Sequence, residues 1–241
     1  MKLKKAIKHS LLYIGYLYNF NKKSKIVYYH DLHLDIRYTS MSTSFDLFQE
    51  HIRTVFVSGF EVVHYINKPT NQIKITFDDG WAGIYQVRDY FIKNEIPVTI
   101  FLVSDFINDI GYLTTSMISE MKNHSVFNFQ SHTKTHPDLI TLADDALIDE
   151  LKNSKNELEE LLKQPITELC FPRGLFSDKV IKHSKEVGYQ RCYSSIPGSF
   201  NSEDFIVARS LVQSATTKEF KWILFGGLNI FKSKFTKSQK I

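Results

Sequence analysis

Two adjacent carboxylates, Asp78 and Asp79, end a strand-like run in the sequence IKITFDDGW at residues 73–81. Gly80 follows them and allows the chain to turn sharply. Like charges side by side repel each other unless a cation, an arginine or a proton relieves the repulsion. The pair therefore predicts a site of chemistry at this strand end, and a metal ion is one partner that would stabilise it.

Two histidines, His132 and His136, provide ligands of the right kind in the sequence SHTKTHPDL at residues 131–139. On a helical turn, a spacing of four places both imidazoles on one side. Two imidazoles and one carboxylate form a three-ligand site with a position open for water, as in catalytic zinc centres. Nickel, cobalt and iron(II) suit the same ligands. A surface histidine pair and an ordinary Asp-Gly turn remain the alternatives.

Alternating strands and helices would position these residues. Helical segments are predicted at 45–58, 82–94, 114–122, 142–163 and 177–187, and Thr141 with Asp144 resembles a capping box. Strand-like runs occupy 25–30, 73–79, 98–104, 126–132, 168–173, 191–195 and 205–210. This alternation predicts an α/β fold, a distorted, incomplete (β/α) barrel of about seven parallel strands.

The polar residues that could take part in chemistry lie at the carboxyl ends of the predicted strands. Active sites of parallel barrels are built at that rim from several strand ends. We therefore expect convergence of His30, Asp78, Asp79, His132, Pro172, Arg173 and Arg209.

Composition and charge indicate a single folded domain and argue against a nucleic-acid-binding protein. The 241 residues are 43% hydrophobic, enough for one sizeable core, and no linker divides them. Cys170 and Cys192 are predicted to be free, buried thiols. Seven lysines and no acid lie in residues 1–30, and six lysines and one acid lie in residues 218–241. Because the whole chain carries only +4, the body is acidic, which argues against a nucleic-acid partner.

The two basic ends flank a predicted domain at 25–212. Residues 1–24 predict a basic amphipathic helix, and residues 213–241 a basic, aromatic segment. The apolar run at 11–20 lacks a cleavage site and is too short to cross a bilayer. We expect a cytoplasmic protein with peripheral contact to an anionic inner membrane face. Packing of both ends on the domain, or an uncleaved anchor with reversed topology, are the alternatives.

Three short sequences resemble the first motifs of the polysaccharide deacetylases, carbohydrate esterase family four or the NodB-homology domain. They are TFDDG at 76–80, HTKTH at 132–136 and FPRG at 171–174. The resemblance implies that Asp79, His132 and His136 hold a divalent metal, zinc by default. It also implies that Asp78 is the general base and that the substrate is an N-acetylated glycan.

Two departures from the family pattern are informative. No histidine follows His183, although many members carry the leaving-group acid in a late Leu-x-His motif. Tyr29-His30 resembles the permuted poly-N-acetylglucosamine type, which implies that His30 is the acid. Cys170 stands where an arginine usually tethers the base, and Arg209 could supply that guanidinium. Arg173, which falls where the family often has tyrosine, is the other candidate for this tether, and a structural ion pair is the alternative role of Arg209.

The implied reaction is attack of metal-bound water on an acetamide. Asp78 accepts the proton, the backbone N–H after Pro172 stabilises the oxyanion, and His30 protonates the departing amine. Trp81, Pro172 and Arg173 are expected to contact the substrate, and further aromatic candidates are Tyr112, Phe176 and Tyr193.

Two other classes of function remain open. A glycoside hydrolase would use a second carboxylate with no metal between the two acids. A catalytically inactive glycan-binding or membrane-associated scaffold would explain the missing third-motif arginine. For a deacetylase, the natural glycan could be a hexosamine polymer, peptidoglycan or a lipid-linked intermediate.

Overall fold

The computed structural model describes the backbone of residues 2–240 and the side chains of residues 7 and 9–240. Its strands are β1 (Lys25–Tyr29), β2 (Asp31–His33), β3 (Ser42–Ser44), β4 (Glu61–Val62), β5 (Gln72–Phe77), β6 (Val98–Leu102), β7 (Phe127–Ser131), β8 (Glu168–Cys170), β9 (Arg191–Tyr193), β10 (Ile206–Val207) and β11 (Ser210–Leu211). Nine of them form one parallel sheet in the order β10-β9-β8-β7-β6-β5-β1-β11, with β4 beside the start of β5. Strands β2 and β3 form a small separate sheet.

The last two strands are halves of a single extended segment. β10 pairs with β9 at one edge of the sheet, and β11 pairs with β1 at the other. Only Ala208 and Arg209 separate the two halves, so the segment crosses from edge to edge of the curled sheet. The short pairings leave the barrel distorted and incomplete, which confirms the predicted fold class. The predicted single strand at 205–210 is thus divided between two partners.

The helices are α1 (Lys2–Tyr18), α2 (Phe45–Val57), α3 (Gly83–Gln86), α4 (Arg88–Lys93), α5 (Thr115–Met121), α6 (Asp144–Leu162), α7 (Asp178–Val187), α8 (Thr217–Leu224) and α9 (Lys232–Gln239). The side chains of Ser44, Thr114, Ser177 and Thr216 cap the helices that follow them. The predicted helix at 82–94 is broken at Val87 into α3 and α4.

The predicted capping box before α6 is wrong. Ala143 is the N-cap residue and offers no side-chain acceptor. The hydroxyl of Thr141 donates instead to the carbonyl of Asp138, inside a short 3-10 turn. Asp144 and Asp145 lie in the first turn of α6, where their charges favourably face the positive end of the helix dipole.

The inside of the barrel is filled by side chains rather than open. Ile26, Phe101 and Val207 pack together there. The ammonium of Lys74 donates to Glu168 at 2.6 Å and to the hydroxyl of Tyr193 at 2.9 Å, so this buried charge is paired. A filled interior leaves the rim as the place where a substrate can reach the barrel.

Both chain ends pack on the barrel as far as their side chains are described. Leu12 of α1 is buried, and Phe20 stacks on Phe225 with ring centroids 4.9 Å apart. The outer side of α1 and its neighbours nevertheless carries exposed apolar side chains, namely Ile7, Tyr13, Ile14, Leu17, Tyr18 and Phe20. Over residues 2–240, no helix combines the length and the hydropathy needed to cross a bilayer.

The substitution Gly15→Ala tests the packing of α1. A Cβ atom at Gly15 would collide with the backbone carbonyl of Gly227. We expect a loss of about 1–3 kcal/mol in the free energy of unfolding, although alanine favours helix more than glycine does. Urea unfolding measures this loss. Ser10→Ala, at an exposed position of the same helix, is the control, and equal stability of both variants would contradict the packing described.

Candidate active site

The two adjacent carboxylates at the end of β5 point in different directions. Asp79 has φ of 72° and Gly80 has φ of 82°, both in the left-handed region. This backbone conformation is uncommon for a residue other than glycine and often marks a functional site. A Cβ at Gly80 would lie 2.8 Å from Leu102, so glycine also permits the close approach of β6.

Asp78 forms a buried ion pair with Arg209. Its two carboxylate oxygens accept from Nη1 at 2.6 Å and from Nη2 at 2.8 Å of the same guanidinium. Burial alone would raise the pKa of Asp78, but the charge and hydrogen bonds of Arg209 hold it below its usual range. Asp78 is therefore an ionised carboxylate at neutral pH.

The guanidinium of Arg209 makes further contacts through its other N–H groups and through its planar face. Nε donates to the carbonyl of Ser194 at 3.1 Å, and Nη1 donates to the hydroxyl of Thr76 at 3.1 Å. The guanidinium lies over the ring of Tyr28, 4.4 Å from its centroid. Nη2 is 2.9 Å from the sulfur of Cys170, so the thiol occupies the space beside the guanidinium.

The other candidate arginine lies away from the carboxylate pair. Arg173 donates to Asp138 at 3.1 Å, and 67% of its side chain is exposed. Its backbone has φ of 56°. Pro172 before it is buried, and the N–H of Arg173 donates to no acceptor among residues 2–240. Of the two arginines, Arg209 is thus the one that contacts Asp78.

Asp79 lies against both histidines. Its Oδ1 is 3.4 Å from Nε2 of His132 and 3.6 Å from Nε2 of His136. Two ligands of one tetrahedral ion with ~2.0–2.2 Å bonds lie about 3.3–3.6 Å apart. The indole N–H of Trp81 donates to the other oxygen, Oδ2, at 3.0 Å. The three groups therefore fit a single divalent ion, with Oδ1 as the carboxylate ligand.

The histidines do not converge on a helical turn, as their spacing suggested. They lie in the loop after β7, where Thr133 and His136 both have left-handed φ, 70° and 60°. Glu150 of α6 holds this loop, because its carboxylate accepts from the backbone N–H of Thr135 at 2.6 Å and from its hydroxyl at 3.1 Å. The sequence analysis missed Glu150, which had no signal beyond its place in a polar helix face.

Hydrogen bonding orients the first histidine. Nδ1 of His132 donates to the carbonyl of Cys170 at 2.8 Å, which leaves Nε2 to face Asp79. Burial and the neighbouring His132 lower the pKa of His136 to about 4, so His136 is neutral. Burial opposes protonation of His132, but Cys170, Asp79 and Asp78 together raise its pKa. The pair thus favours one positive charge, which a metal cation would supply.

His30 directly follows β1, and the carbonyl of the preceding Tyr29 accepts from the backbone N–H of Asp78 at 3.0 Å, which places these two strand ends side by side. Nδ1 of His30 donates to Oε1 of Gln213 at 2.5 Å, so Nε2 is the free nitrogen. Gln213 is held in turn by Thr43, whose hydroxyl donates to the Gln213 carbonyl at 2.7 Å. Gln213 was missed because an isolated glutamine in a loop carries no sequence signal.

Asp31 is a buried carboxylate that the sequence analysis did not single out. Its side chain is 0% exposed and lies against Gly83, where any Cβ would collide with it. Burial raises the pKa of Asp31 to about 7, and nearby N–H groups of Leu32 and Gly83 offset only part of the rise. Asp31 therefore packs against the start of α3, the helix that follows the Asp79 turn.

The aromatic candidates divide into rim and core residues. Trp81 is half-buried and stacks on Tyr112 at 4.1 Å between ring centroids. Phe176 is buried against Phe171. Tyr193 is 1% exposed and lies in the barrel interior. Phe176 and Tyr193 are thus core residues, and only the Trp81 and Tyr112 pair remains a candidate sugar platform. Cys170 and Cys192 are free and buried, as predicted.

Comparisons with known proteins identify the family of the chain. The polysaccharide deacetylase family model matches residues 66–192. A peptidoglycan-N-acetylmuramic acid deacetylase of Bacillus subtilis is 32% identical over 58% of this chain and 52% of its own length. The chain thus spans about half the length of that curated relative.

Solved structures show the same fold. A Bacillus cereus polysaccharide deacetylase has a TM-score of 0.72 at 25% identity and covers 84% of this chain and 69% of its own. IcaB from Ammonifex degensii has a TM-score of 0.74 at 16% identity, over 85% of this chain and 98% of its own. Family model, motifs and fold agree, and the chain belongs to the polysaccharide deacetylase family.

Proposed function

We propose that this protein is a metal-dependent hydrolase that removes N-acetyl groups from an amino sugar of a polysaccharide or a lipid-linked glycan. One observation carries the proposal. A carboxylate with two histidines, a carboxylate paired with arginine, and a further histidine converge at the rim of one barrel.

Asp79, His132 and His136 would hold the ion, with zinc the first choice and nickel, cobalt or iron(II) as alternatives. When bound, such an ion polarises the acetyl carbonyl and makes a water molecule more acidic. Asp78 is proposed as the general base. Arg209 keeps it ionised and fixes its orientation. Oδ2 accepts from Arg209 and from the thiol of Cys170, whereas Oδ1 accepts from Arg209 alone and retains a lone pair for the proton of the attacking water.

His30 is proposed as the acid that protonates the departing amine. Its Nδ1 is engaged by Gln213, so the proton would leave from Nε2. The unpaired N–H of Arg173 after Pro172 would donate to the developing oxyanion, and Trp81 would contact the sugar. The products would be acetate and a free amino sugar.

The inactive-scaffold alternative rested on Cys170, which stands in place of the expected arginine. Arg209 contacts Asp78 in two hydrogen bonds, which weakens that support. A glycoside hydrolase would need Asp79 free as a second acid. Its contacts with His132 and His136 argue against that role.

Acetate release from N-acetylglucosamine oligomers tests the proposed function. We expect release that is lost with a chelator and restored by zinc, nickel or cobalt. Asp78→Asn removes the base and should lower kcat at least 100-fold with the metal content unchanged, since general-base catalysis contributes about 10²–10⁴-fold. Full turnover by metal-free protein or by Asp78→Asn would refute the proposed mechanism.

Arg209→Lys tests the tether of the base. Lysine keeps the positive charge but cannot form the bidentate hydrogen bonds to Asp78. We therefore expect kcat to fall at least tenfold with little change in KM. Arg53→Lys, at an arginine of α2 whose side chain is 68% exposed, is the control and should change kcat less than threefold. Circular dichroism spectra and unfolding curves confirm that both variants fold. Equal kcat values would show that Arg209 does not position the base.

His30→Ala tests the acid through the choice of leaving group. An amine must be protonated to depart, whereas 4-nitrophenolate leaves without a proton. We expect at least a 100-fold loss of kcat on N-acetylglucosamine oligomers but less than a fivefold loss on 4-nitrophenyl acetate. Asp78→Asn should lower both rates. An equal loss on both substrates in His30→Ala would assign His30 another role.

A further inference from the structure

A cavity of about 300 Å³ lies between the barrel and the two chain ends. Its walls are mostly apolar and come from α1, α8, α9 and the segment around β11, with Leu12, Leu211, Ala215, Ile223, Leu228, Phe231 and Phe235 among them. A volume of this size is at the lower end of ordinary ligand sites. An apolar lining favours binding of a hydrocarbon over binding of a sugar, because a buried sugar hydroxyl without a hydrogen-bond partner is costly in free energy.

The inner end of the cavity adjoins the candidate active site. Tyr28 lines the cavity, and its ring lies 5.9 Å from the ring of His30 and beneath the guanidinium of Arg209. Ser214 of the lining directly follows Gln213, the partner of His30. The cavity and the candidate active site are therefore neighbours that share Tyr28 and the Gln213–Ser214 segment as a common wall.

The charged groups of the lining favour an anionic neighbour. Lys234 is exposed and has no ion-pair partner among residues 2–240. Glu219 is already engaged, since it forms the capping box with Thr216 and lies 3.2 Å from His9. The cavity thus has an apolar interior and one unpaired ammonium. The interior would accommodate a hydrocarbon chain, and the ammonium would contact a phosphate joined to it.

We propose that this cavity binds the hydrocarbon chain of a lipid-linked amino sugar, with the linking phosphate against Lys234 and the acetamide at Asp78 and His30. The inference rests on the proposed function and narrows its substrate class. The outer side of α1 agrees with a lipid source, because Ile7, Ile14 and Leu17 are exposed beside a lysine-rich segment.

Binding of decyl phosphate, measured by calorimetry below its critical micelle concentration, tests the cavity directly. We expect it to bind at least tenfold tighter than inorganic phosphate. Ala215→Leu and Leu228→Trp fill the cavity and should each weaken binding at least tenfold, whereas Ala146→Leu, at an exposed alanine of α6, should not. Lys234→Ala should weaken binding of decyl phosphate but not of decanol, and Lys237→Ala is its control.

Turnover separates this inference from the proposed function. The substrates are tetra-N-acetylchitotetraose, called chitotetraose below, and the decyl phosphodiester of N-acetylglucosamine. We expect Ala215→Leu and Leu228→Trp to raise KM about tenfold for the decyl substrate and to leave kcat/KM for chitotetraose unchanged. Unchanged KM for the decyl substrate, or an equal rise with Ala146→Leu, would overturn the inference.

Three further outcomes are decisive. Turnover of chitotetraose by a protein that does not bind decyl phosphate would refute the lipid site and leave the deacetylase intact. Binding that is lost in Ala215→Leu, with no acetate from either substrate under any metal, would refute the proposed activity and leave the lipid site. Loss of binding to anionic phospholipid vesicles in the cavity variants, with unchanged KM for the decyl substrate, would identify a membrane phospholipid as the occupant and overturn the inference.

Discussion

The buried pair of Asp78 and Arg209 is the interaction on which both the fold and the site depend. Burying two charges is costly, and the cost is offset here by two short hydrogen bonds between them and by the further partners of the guanidinium, Ser194, Thr76 and Tyr28. Removal of one partner of such a pair costs about 3–5 kcal/mol, because the other charge is left uncompensated. Arg209 also lies where the chain crosses between the two edges of the sheet. The residue that sets the charge of the proposed base therefore also helps to bring the barrel edges together.

The backbone at Asp79 resolves the repulsion that the adjacent acids would otherwise have. Its left-handed conformation turns one carboxylate toward Arg209 and the other toward the two histidines. Each acid then has its own positive partner, a fixed guanidinium for Asp78 and a proton or metal cation for Asp79. This separation agrees with different proposed tasks for the two neighbours, proton acceptance by Asp78 and cation binding by Asp79.

The sequence predicted the parts of this protein that depend on local pattern. The strand and helix alternation and the rim placement of Asp78, His132 and Arg209 follow from periodicity and from the polarity of strand ends. It did not predict the division of residues 205–210 between two edges, since pairing partners are set by the closed sheet. Nor did it predict Asp31, Glu150 and Gln213, which are polar residues without periodic signal that gain their positions only from packing. The spacing of His132 and His136 predicted a helical turn. The two rings instead converge in a loop, because Thr133 and His136 have left-handed backbone conformations. The predicted domain limits at 25 and 212 stay a prediction.

The proposed acid and the arginine that holds the proposed base come from outside the region that the family model matches. Residues 66–192 include Asp78, Asp79, both histidines and Cys170, but His30 and Arg209 lie beyond it on either side. Strands β1 and β11 pair directly, so these two distant segments meet beside the rim. The small Cys170 leaves room for a guanidinium that arrives 39 residues later in the chain. The same neighbourhood, extended by α1 and α9, builds the apolar cavity. The proposed acid, the arginine that holds the proposed base and the proposed lipid site therefore come from neighbouring segments of the fold, beside the proposed metal ligands Asp79, His132 and His136.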